Sequence, residues 1–128
     1  PNDIRQGALG DCWLLCAIAA LTEFPLLIED LFETKEVNGA GCYRIRLCKN
    51  AWWQSVRVDD FFPCFPGAGA IYTRSNGNEL WVMLLEKAYA KACGSYEAIK
   101  SGIYIDYYYT YNYIYVYILI TIGTIIYL

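Results

Sequence analysis

One cysteine in the sequence has the surroundings of an enzyme nucleophile. Cys12 follows a polar segment, residues 6–11, and begins an apolar run that reaches Leu21. We predict a helix over this run with Asp11 as its N-cap, which places Cys12 in the first turn. Unpaired backbone N–H groups and the helix dipole favour a negative charge on sulfur there, and the thiolate is the form that attacks a carbonyl carbon.

The same segment offers a second chemical group. The side-chain amide of Gln6 can donate a hydrogen bond to an oxyanion formed in acyl transfer, and Gly7 and Gly10 let the backbone approach a substrate closely. A small buried structural cysteine is the alternative interpretation of Cys12, and the residues alone leave both open.

Composition excludes several classes of function. A net charge of -3 gives no basic surface for nucleic acid. No two cysteines have CxxC spacing and histidine is absent, which excludes mixed Cys/His zinc sites, and Cys12 with Cys16 one helical turn later is not a zinc site by itself. Six cysteines without a signal peptide predict free thiols and a cytoplasmic location.

The first elements that must position Cys12 follow from local patterns. Because residues 12–21 are apolar on all sides, we predict a helix that is buried on all sides, followed by a short helix over residues 25–32. Residues 43–47 and 53–58 alternate polar and apolar side chains, which predicts two strands joined by a hairpin connection at Lys49-Asn50.

The following part of the chain reads as a loop and one helix. Residues 61–77 contain prolines and glycines and predict a loop. Residues 79–91 predict an amphipathic helix, capped by Asn78 and ending before Gly94, with Glu86 away from the apolar face.

The composition changes after Gly102. Nine tyrosines lie among isoleucines in residues 103–128, at positions 104, 107, 108, 109, 111, 113, 115, 117 and 127, and no charge follows Asp106. Three interpretations fit this tail: translated AT-rich non-coding sequence, since TAT-ATA repeats encode Tyr and Ile; a membrane segment; or a strand-prone region. We divide the chain into a domain, residues 1–102, and the tail.

Residues 6–15, Gln-Gly-Ala-Leu-Gly-Asp-Cys-Trp-Leu-Leu, resemble the active-site segment of the calpain family almost residue for residue. Further matches are Val-x-Val-Asp-Asp at 56–60, Glu-Leu-Trp at 79–81, and residues 84–91 and 94–98. The resemblance implies an α+β, papain-like cysteine protease fold, of which this chain holds the first, cysteine-bearing subdomain. Its parts are a buried central helix starting at the nucleophile, a small β-hairpin and an amphipathic helix.

The resemblance also implies roles for individual residues. Cys12 is the nucleophile and Gln6 the oxyanion-hole donor. Gly102 matches a glycine whose backbone pairs with bound substrate, although the family has two glycines in a row where this chain has Ser101-Gly102. Trp13 lies beside the nucleophile, where it contributes to the wall of the substrate cleft or is an ordinary core tryptophan.

Calpains depend on calcium, and the resemblance matches Asp3 and Glu79 to the two carboxylates of a calcium site whose other ligands are backbone oxygens. Carboxylate oxygens suit a hard cation. Without the resemblance, Asp3 is a solvated residue and Glu79 a first-turn carboxylate favoured by the helix dipole.

The family's catalytic histidine and asparagine belong to a second subdomain, and Asn112 in the tail has no context as the triad asparagine. We therefore expect a calcium-dependent cysteine endopeptidase for protein substrates, truncated after its first subdomain and inactive without the missing second catalytic subdomain. One alternative is a non-catalytic binding or calcium-responsive module, attached to a membrane if the tail is genuine. Another is a subdomain that does not fold stably without its other half.

Overall fold

The computed structural model describes residues 4–49, 52–75 and 79–100 and has the mixed α+β character that the sequence predicts. The elements run, in chain order, β1 (Ile4–Arg5), α1 (Cys12–Leu21), α2 (Pro25–Leu31), β2 (Cys42–Lys49), β3 (Trp52–Asp59), β4 (Cys64–Phe65), β5 (Gly69–Ala70), β6 (Arg74–Ser75), α3 (Trp81–Cys93) and a 3₁₀ helix (Glu97–Ile99). The predicted tail and its boundary at residue 102 lie outside the described residues.

The hairpin of β2 and β3 confirms the predicted alternation. The two strands pair antiparallel from Cys42 with Asp59 to Lys49 with Trp52, so residues 50 and 51 connect them. The inward side chains of both strands are buried, namely Tyr43, Ile45, Leu47, Val56 and Val58. Period-two burial of branched and aromatic side chains therefore fixes the register of this sheet.

Helix α3 covers the hairpin but begins later than predicted. Its first residue is Trp81, because the first intrahelical bond runs from the Leu84 N–H to the Leu80 carbonyl at 2.9 Å, and Leu80 is the N-cap. The predicted cap, Asn78, lies outside the described residues. The predicted end before Gly94 is confirmed, and Gly94 takes a positive φ of 108°, which glycine tolerates.

Lysines fasten α3 to the hairpin. The ammonium of Lys87 donates to the Asp59 carboxylate at 2.6 Å and to the Phe61 carbonyl at 2.6 Å. Lys91 donates to the carbonyl of Arg57 at 2.6 Å, and Lys49, from the hairpin, donates to the carbonyl of Ala92 at 2.7 Å. The positive charges thus satisfy carbonyls at the edge of the core and add to the apolar contact between the two layers.

Helix α1 has the predicted bounds but not the predicted burial. Leu14, Leu15 and Ile18 are buried, whereas the stripe of Cys12, Cys16 and Ala20 is exposed. The expectation of burial on all sides is wrong because the described part of the chain packs against one face of the helix only. Residues four apart share a face, so the exposed stripe is continuous along the helix.

Helix α2 and the short strands complete the fold. Pro25 opens α2 at its first position, where proline is favoured, and the helix ends one residue before the predicted limit. The predicted loop over residues 61–77 is wrong in part, since β4 pairs with β5 and β6 pairs with β1. These strands have two residues each, too few for alternation to reveal them.

The pairing of β1 with β6 begins a longer contact, which we call the strap: residues 4–8 lying against residues 71–75. Ile4 pairs with Ser75, Arg5 pairs with Arg74, and the Ala8 N–H donates to the Ile71 carbonyl at 2.9 Å. Between these bonds, a Cβ on Gly7 would lie 2.1 Å from the Tyr72 carbonyl oxygen. Only a glycine allows the two backbones to approach this closely.

Within the described ranges, none of the helices has both the length and the apolar character to cross a membrane alone. Helices α1 and α2 meet that test only as a pair bent by 115°. The membrane interpretation of the tail is not addressed by these residues.

Replacing Gly7 by alanine should loosen the strap. We expect Gly7→Ala to lower the free energy of unfolding by roughly 1–3 kcal/mol, the usual cost of overpacking, measured from urea unfolding midpoints. Gly39→Ala is the matched control, since a Cβ there meets no atom within 4 Å and should be neutral or slightly stabilising. Equal effects of the two substitutions would contradict the close approach.

Candidate active site

The predicted nucleophile stands at the start of α1 with its side chain exposed. Cys12 is the first residue of the helix, and the Asp11 carbonyl accepts from the N–H groups of Leu14 and Leu15 at 2.9 and 3.2 Å. The backbone N–H of Cys12 therefore belongs to the orphan donors of the first turn. An accessible thiol beside such donors is arranged for attack by sulfur on an approaching carbonyl.

Gln6 lies on the strap, directly after β1, and its side chain is exposed. The contact of Gly7 with Tyr72 and the bond from Ala8 to Ile71 hold the backbone on both sides of the turn toward α1. Gly10 then takes a positive φ of 72° immediately before Asp11. Gln6 and Cys12 therefore lie at the two ends of a segment that contacts residues 71 and 72.

Asp11 occupies the predicted N-cap position but does not cap the helix with its side chain. Its carboxyl is fully buried, and neither oxygen accepts a hydrogen bond from a backbone N–H, hydroxyl or cationic group in the described residues. The side chain instead faces the carboxyl of Glu86 in α3. The predicted N-cap position is therefore confirmed, although the Asp11 side chain makes no bond to the backbone N–H groups of the first turn.

Glu86 is itself buried, with 1% of its surface exposed. The Thr73 hydroxyl donates to Glu86 Oε1 at 2.6 Å, and the Thr73 backbone N–H lies 3.3 Å from both carboxyl oxygens. We call Asp11, Thr73 and Glu86 the carboxyl cluster. It joins the residue before the nucleophile, the strap and the middle of α3.

Trp13 packs inward beside Cys12. Its indole N–H donates to the Ile99 carbonyl at 3.0 Å, and its ring meets Tyr89 edge to face at a centroid distance of 5.8 Å. The side chain is half-buried against the core, so Trp13 contributes to core packing. Gly102, the other predicted substrate contact, lies outside the described residues.

Of the two predicted calcium ligands, the structure describes Glu79. The Glu79 carboxylate is exposed and accepts from the Trp81 indole N–H at 3.0 Å, while Asp3 lies outside the described part. Residues 4–49, 52–75 and 79–100 contain no group of three or more acidic, cysteine or histidine side chains that could hold a metal ion. Glu79 also lines an open groove of about 720 Å³ between β1, α2 and the start of α3, whose walls do not include Cys12 or Gln6.

Comparison with known proteins assigns the family. The family profile for calpain family cysteine proteases matches residues 1–113. This chain belongs to the calpain family. The calpain-type cysteine protease DEK1 of Zea mays is 49% identical over 106 residues, which are 82% of this chain and 5% of that protein. The calpain-1 catalytic subunit of Homo sapiens is 47% identical over 104 residues, which are 79% of this chain and 15% of that protein.

The chain thus spans a small fraction of the calpain relatives that it matches, and its similarity to them supports a protease of the hydrolase class. All six of its cysteines lie in the described residues and are free thiols. Cys12 and Cys16 are both exposed on one face of α1, so the predicted nucleophile has a neighbouring exposed thiol one turn away.

The carboxyl cluster of this calpain chain was not predicted from the sequence. The helical pattern placed Glu86 away from the apolar face of α3, yet Val82 and Ala90, four residues to either side, are both buried. Residues four apart on a helix share a face, so this spacing was the available signal for a buried Glu86. A partner as distant in sequence as Asp11 left no local pattern.

Burial raises the pKa of Glu86, the hydrogen bonds from Thr73 oppose the shift, and the neighbouring Asp11 carboxyl adds to it, so that the pKa is about 8. The Glu86 carboxyl therefore keeps its proton at neutral pH and can donate it to Asp11. Neither carboxyl takes part in an ion pair among the described residues. A proton shared between them therefore replaces the basic partner that two buried carboxyls would otherwise need.

This shift predicts a pH dependence of stability. Between pH 4.5 and about 8 the folded chain holds a proton on Glu86 that the unfolded chain releases. Stability should therefore fall as pH rises through this window, by roughly 1 kcal/mol per pH unit from this group. Glu86→Gln keeps a neutral donor toward Asp11 and should remove that slope, making the variant more stable than the wild type at pH 8.5 in urea unfolding.

Glu97→Gln is the control, because Glu97 is exposed and pairs with Lys100 at 3.2 Å. It should retain the wild-type slope. A Glu86→Gln variant that loses stability with rising pH as the wild type does would refute the shared proton.

Proposed function

We propose that this chain supplies the nucleophile half of a calcium-dependent, papain-like cysteine endopeptidase that cleaves protein substrates. The observation that carries the proposal is the exposed Cys12 at the first residue of α1, on a segment that the strap holds rigid. Gln6 lies exposed on the same segment, which fits a donor to the oxyanion.

The reaction proceeds by covalent catalysis. The Cys12 thiolate attacks the peptide carbonyl carbon, and the carbonyl oxygen becomes an oxyanion that accepts from the Gln6 amide. The C–N bond then breaks, the leaving amine takes a proton, and water hydrolyses the thioester to release the acid and the free thiol. Each proton transfer needs a general acid or base.

The 128 residues contain no histidine, so we propose that the imidazole and its asparagine come from a second catalytic subdomain outside this sequence. Without that base, the chain alone loses a factor of roughly 10²–10⁴ in rate, in addition to the orientation that a two-sided cleft provides. We therefore expect the chain to be inactive as it stands.

The exposed stripe of α1 supports a place for the second subdomain. Cys12, Cys16 and Ala20 form a continuous, mainly apolar line that begins at the nucleophile. A protein surface that covered this line would exclude water from the thiol and bring its own side chains to the sulfur.

Calcium and location complete the proposal. Asp3 and Glu79 would each contribute a carboxylate to a regulatory calcium ion, for which oxygen ligands are suited, and Glu79 is exposed and open to solvent. Six free thiols favour the reducing environment of the cytoplasm.

Cys12 should react as an activated thiol. We expect iodoacetamide at pH 6 to alkylate Cys12 at least about tenfold faster than Cys16, because only Cys12 lies at the orphan N–H groups of α1. Mass spectrometry of peptides from the same sample measures both rates. Cys16 is an internal control because it is also exposed and lies on the same helix. Equal rates would favour a non-catalytic calpain-like module.

Adding the missing half should produce hydrolysis. A separately prepared histidine- and asparagine-bearing second subdomain of a calpain, mixed with this chain and calcium, should cleave a fluorogenic peptide, and the mixture with Cys12→Ser should not. Cys16→Ser should retain the activity. Hydrolysis that survives Cys12→Ser would overturn the assignment of the nucleophile.

A further inference from the structure

The carboxyl cluster includes Asp11, the residue before Cys12. Asp11 precedes Cys12 in the chain, and its carbonyl accepts the first two hydrogen bonds of α1, so a movement of Asp11 carries the first turn with it. Its side chain faces a second buried carboxyl, that of Glu86, and Glu86 is anchored in turn by Thr73 on the strap.

The groups around the cluster do not neutralise it. Tyr96, after α3, has a buried hydroxyl without a hydrogen-bond partner among the described residues, and its ring stacks on Tyr72 at 4.0 Å. Burial and the charge of Glu86 raise the pKa of Tyr96 above its ordinary range, so it stays a neutral phenol. The ammonium of Lys87 pairs with the Asp59 carboxylate at 2.6 Å, so this cation is directed to Asp59 and not to Glu86.

Two buried carboxyls without a cation are stable only while they share a proton. In that state Glu86 donates to Asp11 and holds it in place. Loss of the proton adds a negative charge next to the Asp11 carboxyl, which pushes Asp11 away from Glu86 and opposes a negative charge on the sulfur of the following residue, Cys12.

We propose that Glu86 is a positioning residue for Cys12, holding the start of α1 through a proton that it shares with Asp11 and setting an alkaline limit to the reactivity of the thiol. The inference rests on the proposed function for the role of Cys12. Glu86 does not touch the substrate, and its effect on the nucleophile passes through Asp11.

The test follows the alkylation of Cys12 by iodoacetamide from pH 6 to pH 9.5, in the wild type and in Glu86→Gln, with each rate divided by that of Cys16 in the same molecule. We expect equal normalised rates at pH 6. By pH 9.5 the wild type should fall below Glu86→Gln by about threefold or more, since only the wild type gains the second buried charge. Glu97→Gln should follow the wild type.

Thr73→Val provides a second, nearly isosteric variant. Thr73 stabilises the ionised form of Glu86 through its hydroxyl, so removal of that hydroxyl should move the fall in Cys12 reactivity to higher pH. If the cluster had a purely structural role, the substitution would change the Cys12 alkylation rate by the same factor at every pH. The pH midpoint of the fall in that rate would not change.

The outcomes separate the two proposals. A normalised Cys12 rate above one that follows the same pH course in the wild type, Glu86→Gln and Thr73→Val overturns the positioning role alone. A normalised rate near one at every pH in every variant overturns the nucleophile, and the positioning role with it.

Discussion

The site depends on the close approach of two backbones, Gly7 against the carbonyl of Tyr72. This contact lets residues 4–8 lie flat on residues 71–75, and it is flanked by the β1–β6 pairs and by the bond from Ala8 to Ile71. Thr73, which binds Glu86, lies on the same strap, so this contact links the segment before α1 to the carboxyl cluster. Gly7, which the sequence suggests for close approach to a substrate, instead allows close approach to the backbone of Tyr72 in the fold.

Much of the fold was predictable because its signals are local. The bounds of α1, the alternation in β2 and β3 and the stop of α3 before Gly94 each follow from side chains within a few residues of one another. The nucleophile segment is equally local, since its ten residues carry the family resemblance without help from the rest of the chain, and the family itself is confirmed.

The remainder depends on partners far apart in the chain. Asp11 is a favoured N-cap residue and occupies the N-cap position of α1, yet its carboxyl turns to Glu86, which lies far along the chain in α3. Strand β6 exists only because β1 lies beside it, and α1 is open on one face although its composition predicts cover all round. In each case long-range packing overrode a correct local rule.

Helix α3 places two adjacent ionisable residues in opposite surroundings. Glu86 is buried with Thr73, whereas Lys87, the next residue, extends across the edge of the hairpin to Asp59 and Phe61. Successive helical residues point about 100° apart, so both sets of bonds can form at one rotation of the helix about its axis only. The bonds of these two adjacent residues therefore fix the rotation of α3 about its axis. Apolar contacts alone would leave that rotation free to vary by a fraction of a turn.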